Sequence, residues 1–296
     1  MATQPKTLFE QFLAPLFERL IDREALIRLR DSIDWPTQID AFTDPQVVYP
    51  EYYTTSNFHG IPKGYLNIDA ALTYDPITQY VLPPGETWVR GSLVQAVQGS
   101  PRRLLDLGCG TGSTTLMLKR RFPQAEVIGL DLSPPMLVMA AHKARVANLE
   151  VTFRHGNALA TSFPDASFDG VCATLLFHET PPAVAKAILQ ESFRLLSPGG
   201  QVLILDGNQR TLRATDWLNT VFEEPFIRAY AQGNVDAWLG LAGFERVRTE
   251  DVFWLNQLSY GLKPRSVAEP TPTEPPQDWA EWENPYPGAG PLPQPA

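Results

Sequence analysis

The chain has 296 residues, 44% of them hydrophobic, and a formal net charge of −9. That much apolar surface can close a large core, and the length suits one main α/β domain with additions at its ends. The acidic balance excludes a broad nucleic-acid face, which needs clustered Lys and Arg, and leaves a small cation or a neutral molecule open as ligand.

In chain order, residues 7 to 22 set apolar pairs at Leu8/Phe9, Phe12/Leu13, Leu16/Phe17 and Leu20/Ile21. A four-residue repeat of this kind makes one helical stripe, kinked or limited at Pro15. A second helix is expected over 23 to 33, stopped before Trp35-Pro36. Residues 1–49 therefore read as an N-terminal helical cap packed on the core. The polar face mixes signs, which argues against membrane docking. No basic region followed by an apolar stretch opens the chain, and no apolar segment approaches about 18 residues. The expectation is a cytoplasmic protein without a signal peptide or membrane span.

Residues 50–100 read as a lid or connecting segment. Residues 50 to 90 are expected to be irregular, and the stretch "YPEYYTTSNFHG" at their start holds four aromatics and a histidine among turn formers. Long loops of this kind are often binding loops or lids. Tyr52 and Tyr53 are candidates to close over a pocket or bind a substrate, and His59 is a candidate base. A helix over 87 to 98 leads into the core.

From residue 101 to 263 the pattern alternates. Strands are expected at 103–108, 126–132, 149–155, 168–176 and 201–206, with helices near 113–121, 134–147 and 181–196. A final strand pair follows at 243–252 and 256–263. Strand–helix alternation with apolar strands predicts a Rossmann-like, mostly parallel seven-stranded sheet, with helices on both faces and an antiparallel edge strand. Residues 264–296 carry ten prolines, which predicts an extended or disordered tail that Trp279, Trp282 and Tyr286 could pin down.

The segment "LLDLGCGTGST", 104 to 114, ends an apolar run in an acid and then alternates glycines. Gly108, Gly110 and Gly112 do not satisfy the dinucleotide spacing, whose third glycine would stand where Ser113 does, and the P-loop lysine is missing. Asp106, two residues before the first glycine, would repel a pyrophosphate and suits an ammonium group. Asp131 closes "EVIGLDLS" and can accept from vicinal ribose hydroxyls. Asn157 and the Ala158 backbone follow the third strand, where they can meet an adenine edge. An ammonium at one end, a ribose at the other and no phosphate describe S-adenosylmethionine. The two cysteines, Cys109 and Cys172, lack metal-ligand spacing, so no metal site is expected and a reducing compartment fits.

Four motifs occur in order: "LLDLGCGTG", "VIGLDLS", "GNALATSFPDASFDGV" and "RLLSPGGQVLIL". With them the chain resembles the class I S-adenosylmethionine-dependent methyltransferase family over about residues 101 to 207, and less closely to 263. The resemblance implies that Asp106, Gly108 and Gly110 contact the methionine part, Asp131 the ribose, Leu132 the adenine face, and Asn157 and Ala158 its edge. Many relatives carry Asp where this chain has Asn157. The implied activity is O- or C-methylation of a small apolar or aromatic acceptor.

Methyl transfer is an in-line displacement that needs alignment and exclusion of water, and a base only when the acceptor must lose a proton. The acceptor should sit beyond the fourth and fifth strands, where "LLFHETPP" places Phe177, His178 and Glu179. Phe177 is a candidate substrate contact. His178 could take a proton or pack the pocket wall, and Glu179 could orient it or bind substrate. Residues 216 to 244, with Trp217, Phe222, Phe226, Tyr230 and Trp238, are either a recognition insertion or aromatic core. A protein methyltransferase and a non-catalytic scaffold that binds the same cofactor are the rival readings.

Overall fold

The structure is a computed structural model that describes residues 22–56, 58, 61, 64–81, 84–217 and 224–265. The expected stripe at 7–21 and nearly all of the Pro-rich tail lie outside the described residues. So do His59 and Phe222.

Seven strands form one sheet: β1 (Arg103–Leu107), β2 (Glu126–Asp131), β3 (Thr152–His155), β4 (Phe168–Thr174), β5 (Leu196–Gly207), β6 (Glu245–Val252) and β7 (Asn256–Leu262). Their order is β3-β2-β1-β4-β5-β7-β6. The first five run parallel, and β7 pairs antiparallel with both β5 and β6. The antiparallel addition thus closes one end of the sheet, with β7 one place in from its edge.

The central strands are apolar on both sides because both faces are covered. Leu104 and Leu105 are both fully buried, yet successive strand residues face opposite ways. Leu104 joins Val89, Leu93, Leu118 and Cys172 on one face. Leu105 joins Ile128, Val171, Ile188 and Leu189 on the other. Eleven α-helices among the described residues surround the sheet: α1 (Arg23–Asp31), α2 (Trp35–Phe42), α3 (Glu51–Thr55), α4 (Ile68–Val81), α5 (Glu86–Ala96), α6 (Ser113–Arg121), α7 (Pro134–Val146), α8 (Pro182–Leu195), α9 (Gln209–Ala214), α10 (Ile227–Ala231) and α11 (Val235–Leu241). None of them is long and apolar enough to cross a membrane.

The N-terminal elements form a third apolar cluster. Trp35, Phe58, Tyr65, Ala70, Ala71 and Leu72 pack with Met136, Val138 and Met139 of α7. Here the chain departs from the expected irregular stretch: α4 is a 14-residue helix that contains Pro76. Proline in a helix interior removes one backbone hydrogen bond. The buried face of Ala70, Ala71, Leu72 and Thr78 holds the helix in spite of it, an instance of packing overriding local propensity. Within the 216–244 region, Tyr230 is fully buried and Trp238 nearly so, both within the sheet-face cluster. Trp217 is exposed.

β1 leads to β2 and β3 on one side, and the chain then returns to β4 on the other. Beside the carboxyl ends of β1 and β4 this reversal opens a crevice, the place where open α/β sheets take ligands.

Candidate active site

The turn after β1 is built from three left-handed glycines: Gly108 (φ +63°), Gly110 (φ +52°) and Gly112 (φ +78°). Residues with a Cβ rarely adopt this backbone. A Cβ on Gly108 would stand 2.8 Å from Leu176 Cδ1, whereas one on Gly110 would meet nothing within 4 Å. Gly110 therefore opens the loop toward the crevice, and Gly112 leads directly into α6.

Asp131, the last residue of β2, is held by two backbone donors. Gly110 N–H donates to Oδ2 and Ser133 N–H to Oδ1, each at 2.8 Å. Each carboxylate oxygen keeps a further lone pair. Asp106 is 1% exposed. Its Oδ2 accepts the Thr115 hydroxyl at 2.6 Å, while its buried Oδ1 has no hydrogen-bond partner among the described residues. A buried acceptor without a donor is costly and calls for a partner. Burial raises both carboxyls to about 6, partly offset by the Thr115 hydroxyl at Asp106 and by backbone donors at Asp131. A cation bound between them would restore their ordinary acidity.

The pocket in front of these residues is lined by Gly108, Gly110, Asp131, Leu132 and Ala158 at one end and by Leu176 and Glu179 at the other. Tyr52, Tyr53, Phe58, Tyr65 and Tyr74 roof it. Phe58 stacks on Tyr65 with ring centres 5.5 Å apart, and Tyr53 lies 5.7 Å from Phe58. Burial comes first in raising the phenols of Tyr52, Tyr53 and Tyr65, followed by the Glu179 and Asp131 charges at Tyr52 and Tyr53 and by the Glu179 and Glu224 charges at Tyr65. All three remain protonated donors at neutral pH. Asp131 and Glu179 are the only charged residues among the described residues that line it.

The roof is fastened to the cofactor loop. Asp75 on α4 accepts the Thr111 hydroxyl at 2.5 Å and the Lys143 ammonium at 2.6 Å, and Lys143 also donates to Ser113 at 2.9 Å. At the other end, His155 anchors residues 44–49. Asp44 N–H donates to its Nδ1 at 3.0 Å, and Tyr49 Oη lies 2.9 Å from Nε2. With Nδ1 accepting, the ring is neutral and Nε2 carries the proton.

The expected site residues fall into groups. Gly108, Gly110, Asp131, Leu132, Ala158, Tyr53 and Glu179 line one pocket, and Asp106 lies buried behind the loop. Asn157 reaches the pocket wall, but its amide is committed within the protein: Nδ2 donates to Val48 O at 3.1 Å, and Oδ1 accepts Leu159 N–H at 2.9 Å. Phe177 is not among the residues that line this pocket. It is fully buried in the core, and its N–H donates to Asp206 at 2.7 Å. His178 lies behind the wall, with Nδ1 2.6 Å from Asp206 Oδ1.

The sequence reading did not single out Phe58, Tyr65, Tyr74, Asp75, Lys143 or Asp206. Asp206 carried a usable signal, since it ends "VLILD" as Asp131 ends "VIGLD". The others reach the site only through the α4 packing that local propensity hides.

A family model described as a methyltransferase domain matches residues 104–200. Demethylmenaquinone methyltransferase of Thermus thermophilus is 39% identical over 154 residues, which cover 51% of this chain and 69% of that protein. The Deinococcus radiodurans enzyme of the same name is 40% identical over 119 residues, covering 40% of this chain and 48% of its own length. The chain thus spans about half of the latter relative. Human N-acetylserotonin methyltransferase, solved with S-adenosylmethionine, shares the fold at a TM-score of 0.53 and 16% identity, covering 68% of this chain and 57% of that one.

Proposed function

The chain belongs to the class I S-adenosylmethionine-dependent methyltransferases, and within that family we propose that it methylates a small apolar aromatic acceptor of the hydroquinone or phenol type. One observation carries the acceptor class: a roof of five aromatic side chains over a pocket whose acceptor end, among the described residues, holds a single charged group, Glu179. Aromatic walls bury a flat apolar ring well and discriminate against extended peptide. The two relatives named for demethylmenaquinone point the same way.

The residues present fit the cofactor. Asp106 Oδ1 offers a buried acceptor for its ammonium, Asp131 offers lone pairs to the ribose hydroxyls, and the open side of Gly110 gives room for close approach. When bound, the cofactor supplies an activated methyl group on a sulfonium. The protein's own work is alignment and exclusion of water. Asp75 and Lys143 tie the roof to the glycine loop, so the aromatic cover and the cofactor cradle keep a fixed spacing. The tyrosines offer ring faces, which suit a cationic centre.

Labelled methyl transfer tests the reading. The purified chain is incubated with methyl-labelled S-adenosylmethionine and, separately, an apolar-tailed hydroquinone, a monophenol, an amine and an unfolded protein. Label in the hydroquinone or phenol is expected. Label in protein alone would favour the peptide-modifying rival, and label nowhere would favour the scaffold.

A further inference from the structure

Behind the acceptor end of the pocket, side chains from three parts of the chain form a line. Asp206, next to last in β5, is 1% exposed. It accepts Phe177 N–H and Gly207 N–H, each at 2.7 Å, and lies 2.6 Å from His178 Nδ1. The opposite ring nitrogen, His178 Nε2, stands 3.8 Å from Glu179 Oε1. The Tyr65 hydroxyl, on the short 3-10 turn at Gly64–Leu66, donates to that same Oε1 at 2.5 Å. Of the four members of the line, Glu179 and Tyr65 line the pocket, whereas Asp206 and His178 do not.

From this line we propose that Glu179 is the catalytic residue that receives the acceptor's hydroxyl proton, and that Asp206, His178 and Tyr65 are positioning residues that hold it ready. The inference rests on the reading of a hydroxyl-bearing acceptor. In the step, the acceptor O–H bond breaks and its proton passes to the Glu179 carboxylate. The electron pair left on oxygen forms the new bond to the methyl carbon as that carbon's bond to sulfur breaks, the pair of the broken bond returning to sulfur as a neutral thioether. Where the pair acts through the ring instead, the methylated ring carbon also gives up its own C–H proton.

His178 is unsuited to the same task. Both its ring nitrogens face carboxylates, and an imidazolium satisfies both at once but has no lone pair to take a proton. Burial alone would lower its pKa. The Asp206 carboxylate and its hydrogen bond outweigh that, helped by Glu179 and Glu224, and hold it up to about 10. The other group packed on it, the Tyr230 ring at 6.5 Å, is uncharged. The cation has a clear use. It stands between Asp206 and Glu179, which would otherwise repel, and steadies an ionised Glu179 in an apolar surround. Tyr65 fixes the carboxylate from the other side, and its phenol is raised by burial and by Glu179, so it stays a donor.

Two measurements test the proposal on the full chain. Nitrogen-15 NMR of the imidazoles needs no substrate: His178 should be doubly protonated at pH 8, and singly protonated there in Asp206→Asn. Kinetics with the hydroquinone then separate the roles. Glu179→Gln should lower kcat at least 100-fold with the affinity for S-adenosylhomocysteine unchanged. His178→Gln and Tyr65→Phe should each lower kcat roughly tenfold, and Asp206→Asn should move the alkaline limb of the pH–rate profile down by a unit or more. A neutral His178 at pH 8 in the unaltered protein, or a Glu179→Gln enzyme that still turns over while His178→Gln is dead, would overturn the proposal. A wild-type enzyme that methylates no hydroxylated acceptor would sink the functional reading itself, whereas an active Glu179→Gln enzyme would sink only the proton assignment.

Discussion

Gly110→Ala is the sharpest perturbation the cofactor loop allows. Gly110 sits at φ +52° with nothing within 4 Å of a built Cβ. The new methyl would meet no protein atom and would project into the crevice. The backbone cost of the left-handed conformation is about 1–2 kcal/mol, offset by about 0.4–1 kcal/mol from the stiffer unfolded chain. The net loss of stability is therefore about 1 kcal/mol, a fall of about 2–4 °C in melting temperature for a chain of this size. Gly99→Ala is a matched control, since Gly99 has φ +72° and an equally empty Cβ position on an exposed turn. If the cofactor lies against Gly110, a methyl there displaces it from at least one charge-assisted contact worth about 1.5–3 kcal/mol. Titration calorimetry with S-adenosylhomocysteine should then show binding weakened at least tenfold in Gly110→Ala and unchanged in Gly99→Ala, with similar melting shifts in both. Equal affinities in the two variants would refute the placement of the ligand.

Asp106→Asn removes the charge behind the loop, and affinity for S-adenosylmethionine should drop about 10- to 100-fold by the same charge-assisted term; an unchanged dissociation constant would contradict the ammonium assignment. Both acids are raised to about 6 without a cation, so affinity for the sulfonium compound should fall as pH drops through about 6, with proton release on binding that grows as pH falls to and below that value. In His155, burial lowers the pKa and the folded ring stays neutral. The unfolded chain then binds a proton that the folded chain does not, so stability is lost as pH falls below about 6.5. Amide exchange at Asp44 should report this as a lower protection factor at pH 5.5 than at pH 7.5, and equal protection would rule it out. Lys143→Met breaks a part-exposed contact, so it should cost little stability yet loosen the roof and raise the KM of the acceptor more than that of the cofactor.

Much of the sheet was legible because its strands announce themselves as apolar runs ended by acids or glycines. The observed limits of β1, β2 and β4 lie within two residues of those read from sequence. The cofactor cradle was legible for the same reason: Asp106, Asp131 and the three glycines sit at strand ends, where local sequence alone dictates geometry. The roof was not. Pro76 and the aromatic-rich approach look like a loop, and only packing of Ala70, Ala71 and Leu72 on α7 makes α4 a helix. The role of His178 was hidden too, because its proton is set by Asp206, 28 residues away. Asn157 looked free to meet a base, and only the fold shows Val48 on its amide.

The account stands most directly on one measurement, a crystal structure of the chain with S-adenosylhomocysteine and an apolar hydroquinone. It predicts the ammonium within hydrogen-bond distance of Asp106 Oδ1, the ribose hydroxyls on Asp131, and the ring under Tyr52, Tyr53 and Tyr65 with its hydroxyl on Glu179. A nucleoside seated elsewhere, or a ring outside the tyrosine roof, would contradict it.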